Sequence, residues 1–176
     1  TINIKGGKNP NLLVSNKKVI PLNCNMNDKK VLIISGPNAG GKTVAIKTIG
    51  LFALMCQQGM HLPAEKAEMP FFENILTDIG DRQSIDNDLS TFSAHITNLK
   101  YILELANHST LIILDELGTG TEPELGTAIS QAIIEEFINK KSYVISTTHM
   151  SALKLWAQER QDIINGGMIF NNKKLK

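Results

Sequence analysis

The stretch from residue 36 to residue 43 constrains the fold of this chain more than any other part of it. It fits the template G-x-x-x-x-G-K-[ST], the P-loop, at every specified position. An apolar run over residues 31–34 precedes it and predicts a buried strand, and the apolar segment 44–56 after it predicts a helix. The motif consists of Gly36, Pro37, Asn38, Ala39, Gly40, Gly41, Lys42 and Thr43.

The order strand, glycine-rich turn, helix is the order that phosphate binding requires. The N–H groups of such a turn point inward at a β-phosphate, and the following helix presents the positive end of its dipole to the same anion. Lys42 is predicted to reach the β- and γ-phosphates, and the Thr43 hydroxyl to ligate Mg²⁺. The alternative is a glycine-rich turn that matches by chance, but the correct flanks favour a nucleotide site.

A second apolar run, residues 111–114, ends in Asp115 and Glu116. Acids at the C-terminal end of a buried strand point into the crevice where ligands of parallel α/β sheets bind. Asp115 is therefore predicted to hold the water shell of Mg²⁺ opposite Thr43, and Glu116 to polarise the attacking water. Two acids that simply end a strand are the alternative, which a P-loop in the same sheet makes much weaker.

A third run, residues 143–148, is followed by His149 and repeats this layout. An imidazole there is able to hydrogen-bond a γ-phosphate and respond to its loss. A lone histidine at a strand end is more often structural, so the residue pattern alone leaves both interpretations open.

Composition indicates an ordinary globular protein, with 42% hydrophobic and 20% charged residues among 176. The net charge of +1 gives no support for nucleic-acid binding by this segment alone.

Cys24 and Cys56 are expected to be buried free thiols in a reducing compartment. No signal peptide or span of about 20 apolar residues is visible, which predicts a cytoplasmic protein without membrane contact. The first residue is Thr1 and the last residues are lysine-rich, which predicts a piece of a longer protein.

Periodicity predicts an alternation of strands and helices, and hence an α/β fold with a mainly parallel sheet covered on both faces. Residues 12–26 alternate loosely and are expected to form one or two antiparallel strands. No repeat or linker is visible, so residues 1–176 are interpreted as one domain. The other predicted strands are 74–78 and 167–170, the predicted helices are 92–106, 124–137 and 151–158, and 63–70 is predicted as a loop.

Three segments of the chain resemble the ATPase domain of the MutS family: residues 35–43, 114–121 and 147–150. The narrower segments 78–85 and 89–95 are similar to the MutS-two branch, whose members usually carry a C-terminal Smr domain. The resemblance runs from about residue 6 to the end. One departure is Lys8-Asn9-Pro10, where the family usually has Arg-His-Pro.

The resemblance implies an ABC-type P-loop ATPase that binds ATP and Mg²⁺ and works as a homodimer. It implies that Ser90 approaches the γ-phosphate held by the partner subunit, that residues 118–121 line the same interface, and that His149 is the switch histidine. The alternative for Ser90 is a helix N-cap, and both roles are compatible.

For the parent protein, the resemblance implies binding of branched or mismatched DNA through parts outside this chain, and restraint of recombination. Some relatives act on stalled ribosomes, so contact with ribosomal RNA stays open.

An ABC or SMC-type ATPase of another machine is the alternative, but it would call for Leu-Ser-Gly-Gly-Gln where residues 89–93 read Leu-Ser-Thr-Phe-Ser. A small-molecule kinase would lack the paired acids and the histidine. A non-catalytic nucleotide-gated module is disfavoured by Glu116.

Overall fold

The computed structural model describes residues 1–15, 19–37, 40–80 and 88–168, with the backbone alone for residues 88–92. The strands are β1 (Asn3–Gly7), β2 (Leu22–Asn25), β3 (Val31–Ser35), β4 (Lys66–Glu68), β5 (Asn74–Asp78), β6 (Thr110–Leu114), β7 (Tyr143–Thr148) and β8 (Ile163–Gly167). The helices are α1 (Pro10–Val14), α2 (Lys42–Gln57), α3 (Asp88–Leu105), α4 (Pro123–Asn139) and α5 (Ser151–Glu159).

Five strands form one sheet in the order β5-β6-β7-β3-β8, and every neighbouring pair is parallel. All five residues of β3 and of β6 are buried, as expected for strands covered on both faces. The prediction of an α/β fold with a parallel sheet is confirmed. Since the strands are parallel, their C-terminal ends, and the loops that follow them, meet at one edge.

Alternate side chains of each strand enter two separate hydrophobic clusters, because successive residues of a strand point to opposite faces. Val31 and Ile33 of β3 pack with residues of α3, α4 and α5. Leu32 and Ile34 pack on the other face with α2 and with β1. Trp156 of α5 is partly buried against the first cluster.

A smaller antiparallel sheet, in the order β2-β1-β4, contributes to the second cluster. Its strand β2 confirms part of the antiparallel prediction for residues 12–26. The strand prediction for residues 12–14 is wrong, since they belong to α1. The Asn9 side chain accepts hydrogen bonds from two N–H groups of this helix, and Pro10 occupies its first turn. A cap residue followed by proline is a helix start signal in the sequence itself.

Two further boundaries differ from the predictions. Residues 63–70, expected to be a loop, contain β4, which is too short to show alternation and exists because it pairs with β1. The last strand is β8, which begins at Ile163, four residues before the predicted start at Gly167. The predicted continuation to residues 169–170 lies outside the described residues.

Helix α4 buries only part of the face that its apolar spacing predicts, namely Leu125, Ile129, Ala132, Ile133 and Phe137. Phe137 is buried, and Ile133 is partly buried against the first cluster. Leu125 is 52% exposed and Ala132 is also exposed, whereas both were expected in the core. The cause is a close backbone approach, since a Cβ atom built on Gly126 would lie 2.1 Å from the Gly118 carbonyl oxygen. Small residues, rather than Leu125, therefore face inward in the first turns of the helix. Its buried residues are Gly126, Thr127, Ser130, Ile134 and Phe137.

The expectation of two buried thiols is wrong for one of them. Cys56, near the C-terminal end of α2, is exposed, while Cys24 on β2 is half-buried, and both are free. Burial raises the pKa of the Cys24 thiol to about 11. Within the described part of the chain, no helix is long and apolar enough to cross a membrane.

Candidate functional site

Three of the predicted segments meet at the C-terminal edge of the five-stranded sheet. The P-loop follows β3, the two acids follow β6, and His149 follows β7. Strand β7 lies between β6 and β3 in the sheet. Its register places Thr148 beside Ser35 of β3, and Ser146 beside Leu114 of β6. Consequently Thr147, the residue after Ser146, lies level with Asp115. The strand order thus places the P-loop and the two acids on either side of β7.

The described part of the P-loop forms a tight turn that depends on glycine. Gly36 and Gly41 have φ angles of 146° and 79°, in the region that favours glycine. The N–H of Gly40 donates to the carbonyl of Pro37 at 3.0 Å, which closes the turn. Gly41 caps α2, so the N-terminus of that helix opens on the loop. Asn38 and Ala39, predicted to belong to the cradle, lie outside the described residues.

The two P-loop side chains with predicted chemistry both lie at this edge. Lys42 is buried, and its ammonium donates to the Gly36 carbonyl at 2.7 Å, across the mouth of the loop. The Thr43 hydroxyl donates to Oδ2 of Asp115 at 2.7 Å. Thr43 and Asp115 are 72 residues apart in sequence, so the fold has placed a hydroxyl oxygen and a carboxylate together. Oxygen ligands of these two kinds are those that Mg²⁺ prefers.

Thr147 is a residue that the sequence reasoning did not assign. Its hydroxyl donates to Oδ1 of Asp115 at 2.5 Å and accepts from the N–H of Glu116 at 2.8 Å. The residue is fully buried on β7. A run of hydroxyl residues at the end of an otherwise apolar strand was the available signal, but which acid it serves depends on strand order.

Glu116 has a φ angle of 53°, which is unusual for a residue with a side chain. Three hydrogen bonds hold its backbone there. Its N–H donates to the Thr147 hydroxyl, and its carbonyl accepts from the Thr119 hydroxyl at 2.8 Å and from the Thr119 N–H at 3.4 Å. Nδ1 of His149 lies 4.0 Å from Oε1 of Glu116, and the His149 side chain is 46% exposed. The structure thus brings together Glu116 and His149, which the sequence had placed on separate strands.

The loop after Glu116 packs tightly against α4. Gly118 has a φ angle of 81°, and a Cβ atom on it would lie 2.2 Å from Oγ of Ser130. Only glycine fits there, so the loop over residues 118–121 has a defined path beside the acidic pair. Its predicted contact with a partner subunit stays a prediction.

Ser90 is the third residue of α3, because the helix begins at Asp88. The N-cap alternative for Ser90 therefore does not match the helix start. Its side chain lies outside the described part of the chain, so its predicted approach to a γ-phosphate stays a prediction.

The departure Lys8-Asn9-Pro10 has a structural role in this chain. Asn9 is buried, caps α1 and donates through Nδ2 to the Thr48 hydroxyl of α2 at 2.8 Å. Asn9 therefore ties the N-terminal segment to the helix that follows the P-loop.

A small pocket adjoins the acidic pair on the side of α3. Asp78, His95, Asp115, Glu116 and Gly118 are among its lining residues. His61 and His108 are exposed, whereas His95 is partly buried and pairs with Asp78.

Comparison with known proteins gives a family. The family model described as MutS domain V matches residues 32–175. The chain is 46% identical over 177 aligned residues to a protein named Endonuclease MutS2 from Caldicellulosiruptor bescii, covering 99% of this chain and 22% of the relative. It is 42% identical to the protein of the same name from Halalkalibacterium halodurans, covering 96% and 21%.

The chain thus spans about a fifth of the length of these relatives. The domain V match covers most of the chain, and the MutS2 relatives align over nearly all of it. Together with the P-loop and acidic pair at one sheet edge, these matches show that the chain belongs to the MutS domain V family, on its MutS2 branch.

Proposed function

We propose that this chain is an ABC-type P-loop ATPase domain that binds ATP with Mg²⁺ and hydrolyses it at a site completed by a second copy. The observation that carries the proposal is the 2.7 Å hydrogen bond between the Thr43 hydroxyl and Asp115. It joins the P-loop to the acid after β6 in the arrangement that nucleotide-bound Mg²⁺ needs.

The donor set fits Mg²⁺–ATP. Magnesium ions at nucleotide sites usually take one or two protein ligands and complete their coordination with water and phosphate oxygens. Thr43 and Asp115 would supply those two ligands. No group of three or more His, Cys, Asp and Glu side chains is arranged for a metal among the described residues. That absence suits an ion that arrives with its nucleotide.

Different residues of the chain are proposed to bind the phosphates and to carry out hydrolysis. The N–H groups of the P-loop and Lys42 bind the phosphates, and the N-terminus of α2 favours their negative charge. Bound Mg²⁺ would supply charge neutralisation at the phosphates. Hydrogen bonds to Thr147 and Thr119 hold the backbone of Glu116, and its carboxylate is proposed to accept a proton from a water. His149, whose Nδ1 lies 4.0 Å from Oε1 of Glu116, is proposed to bind the terminal phosphate oxygen or its product.

A second copy is proposed as the partner because the similarity to the MutS family implies a dimer, in which one subunit supplies a contact that stabilises the charge developing on the γ-phosphate of the other. Ser90 at the start of α3 is proposed to supply that contact across the dimer, as the similarity to the MutS family implies. The loop over residues 118–121 is proposed to line the contact.

For the whole protein we propose action on DNA of branched or mismatched structure, in control of recombination. The relatives are named endonucleases, and this chain aligns with about a fifth of their length. With a net charge of +1, this chain is not proposed to carry the DNA contact. ATP-driven dimerisation of this domain is proposed to control the parts that do.

Two variants test the ATPase proposal by separating binding from chemistry. Lys42→Ala should lose ATP binding, because the phosphates lose their positively charged partner. Glu116→Gln keeps the size of the side chain but cannot accept the proton. It should bind Mg²⁺–ATP normally and turn over at least ~100-fold more slowly, the usual scale for a general base. Isothermal titration gives the affinity, and phosphate release gives the rate.

The outcomes are separate for the two residues. Unchanged ATP affinity in Lys42→Ala would remove the nucleotide site from the P-loop. Turnover of Glu116→Gln near that of the wild type would show that another group is the base. Glu122→Gln is a matched control, because Glu122 is an exposed acid on the same connection. It should leave both binding and rate unchanged.

A further inference from the structure

Asp78, at the C-terminal end of β5, is bonded to two other elements. Its Oδ2 accepts from Nδ1–H of His95 at 2.8 Å, and its Oδ1 accepts from Nδ2 of Asn98 at 2.8 Å. Its backbone carbonyl accepts from the N–H of Asp115 at 2.9 Å. The Asp78 side chain is only 12% exposed. We call the three side chains of Asp78, His95 and Asn98 the α3 clamp.

Neighbouring residues leave room for the α3 clamp and add a further hydrogen bond to it. A Cβ atom on Gly80 would lie 2.9 Å from Cε1 of His95, so a glycine there leaves room for the imidazole. Asn98 donates a second time from Nδ2, to the carbonyl of Thr77 at 3.2 Å. Both oxygens of the carboxylate are therefore used by donors from one helix, in a partly buried place where such bonds are strong.

The α3 clamp connects the two halves of the proposed composite site. His95 lies on the same helix as Ser90 and five residues after it, about 7.5 Å along the axis at 1.5 Å per residue. At the other end of the connection, the Asp78 carbonyl holds the N–H of Asp115, the proposed Mg²⁺ ligand. One residue thus binds the backbone at the nucleotide site and the helix that carries Ser90.

Apolar packing alone does not fix where α3 lies along the sheet. Leu99 and Ile102 bury its apolar stripe in the first hydrophobic cluster. Such contacts tolerate small sliding and rotation, because the hydrophobic effect is not directional. Hydrogen bonds weaken steeply with misalignment, so the two bonds to Asp78 define the position and rotation of the helix.

We propose that the α3 clamp is a positioning device that holds the N-terminal end of α3 in the place from which it serves the nucleotide bound by the partner copy. This inference rests on the composite site proposed above. His95 and Asn98 act through α3, and neither is proposed to touch nucleotide. Loss of the α3 clamp should therefore impair the partner's site and leave nucleotide binding by its own subunit intact.

The test uses His95→Ala, His95→Asn and a control. His95→Ala removes the donor, whereas the Asn side chain places an N–H close to where Nδ1–H lies. Loss of one such hydrogen bond should lower turnover roughly tenfold in His95→Ala, and His95→Asn should recover most of it. Affinity for Mg²⁺–ATP should stay within about twofold in both, since the P-loop is unchanged. Thr97→Ala, an exposed change on α3 whose hydroxyl bonds only within the helix, should have no effect.

A mixing experiment decides in which subunit the α3 clamp acts. A dimer of one His95→Ala and one Lys42→Ala subunit has one site with an intact P-loop from the first and an intact α3 from the second. At equal amounts, half of the dimers are mixed and each has one complete site, so about a quarter of wild-type activity should appear. Ser90→Ala mixed with Lys42→Ala is the benchmark for a composite site.

Each result supports or overturns the inference. Recovery in both mixtures, with rescue by His95→Asn, supports the α3 clamp as a device acting across the dimer. Recovery with Ser90→Ala but not with His95→Ala places the effect within one subunit and overturns it. A His95→Asn variant as slow as His95→Ala also overturns it. If neither mixture recovers, the composite site itself fails and the inference fails with it.

Discussion

The buried hydroxyl of Thr147 is hydrogen-bonded to two candidate site residues. It donates to the Asp115 carboxylate and accepts from the Glu116 N–H. The first bond orients a carboxylate, and the second holds a backbone at a φ angle of 53°. A side-chain residue at positive φ costs of order 1 kcal/mol or more, so the structure around it must compensate. We therefore expect Thr147 to position the acidic pair.

Thr147→Val is expected to disturb that pair without changing the size of the side chain. It leaves the Glu116 N–H without its acceptor and Asp115 without one donor. Turnover should fall roughly tenfold, the scale of a lost buried hydrogen bond, and more Mg²⁺ should be needed for half-maximal rate. Thr147→Ser keeps the hydroxyl and should restore both. Titration of the ATPase rate with Mg²⁺ measures these effects.

Thr110→Val is the matched control for this prediction. Thr110 is equally buried, and its hydroxyl also donates one bond and accepts one, both with Asn107 at 3.1 Å. It lies at the N-terminal end of β6, away from the site. It should lose stability but keep the Mg²⁺ dependence of the wild type. Equal Mg²⁺ dependence in the two valine variants would contradict a positioning role for Thr147.

At the scale of elements, the contact of α2 with β6 places the P-loop relative to Asp115. Gly50 lies at the middle of α2, and a Cβ atom there would be 2.5 Å from Cδ1 of Ile113. Ile113 is buried and is two residues before Asp115 on the chain. The absence of a side chain on Gly50 thus leaves room for Ile113 against the helix that carries Thr43.

Gly50→Ala brings two effects of opposite sign. Alanine favours the helix by about 1 kcal/mol over glycine, whereas overpacking a buried contact costs about 1–3 kcal/mol. The variant should therefore be destabilised by roughly 1 kcal/mol net, as measured by urea unfolding. Ile113→Val removes the clashing atom, so the double variant should be more stable than the sum of the two single changes predicts. Additive losses would show that α2 does not rest on Ile113.

At the scale of the whole molecule, the five-stranded sheet is shared by both hydrophobic clusters. Neighbouring residues of the same strand enter opposite clusters, as Ile112 and Ile113 of β6 do. Neither cluster is able to unfold while the sheet remains intact, so the described part of the chain should unfold as one cooperative unit.

Nucleotide binding at the edge of this sheet should therefore stabilise the entire unit. Ligand at ~100 times its Kd adds about 2.7 kcal/mol. For a domain of this size that raises Tm by about 5–10 °C. Calorimetry should show a single transition that moves with Mg²⁺–ATP in the wild type and does not move in Lys42→Ala. Two transitions, of which only one moves, would contradict the single-domain interpretation.

Much of the site was predictable from local sequence, because its parts are local. The P-loop, the acids after β6 and the histidine after β7 each end an apolar run, and short buried strands leave that pattern in any sequence. Helix α1 was also encoded locally by Asn9 and Pro10, although the loose alternation of residues 12–26 favoured strands. The small strand β4 was not, because three residues carry no detectable period.

The sequence by itself determined which chemical groups end the strands, since each group is adjacent in the chain to an apolar run that must be buried. Only the tertiary structure decided which groups meet. The order β6-β7-β3 puts Thr147 between the P-loop and the acids, and the approach of α3 to β5 pairs His95 with Asp78. The physical reason is that contacts between distant residues depend on strand order and register, which arise from packing of the whole sheet rather than from any local pattern.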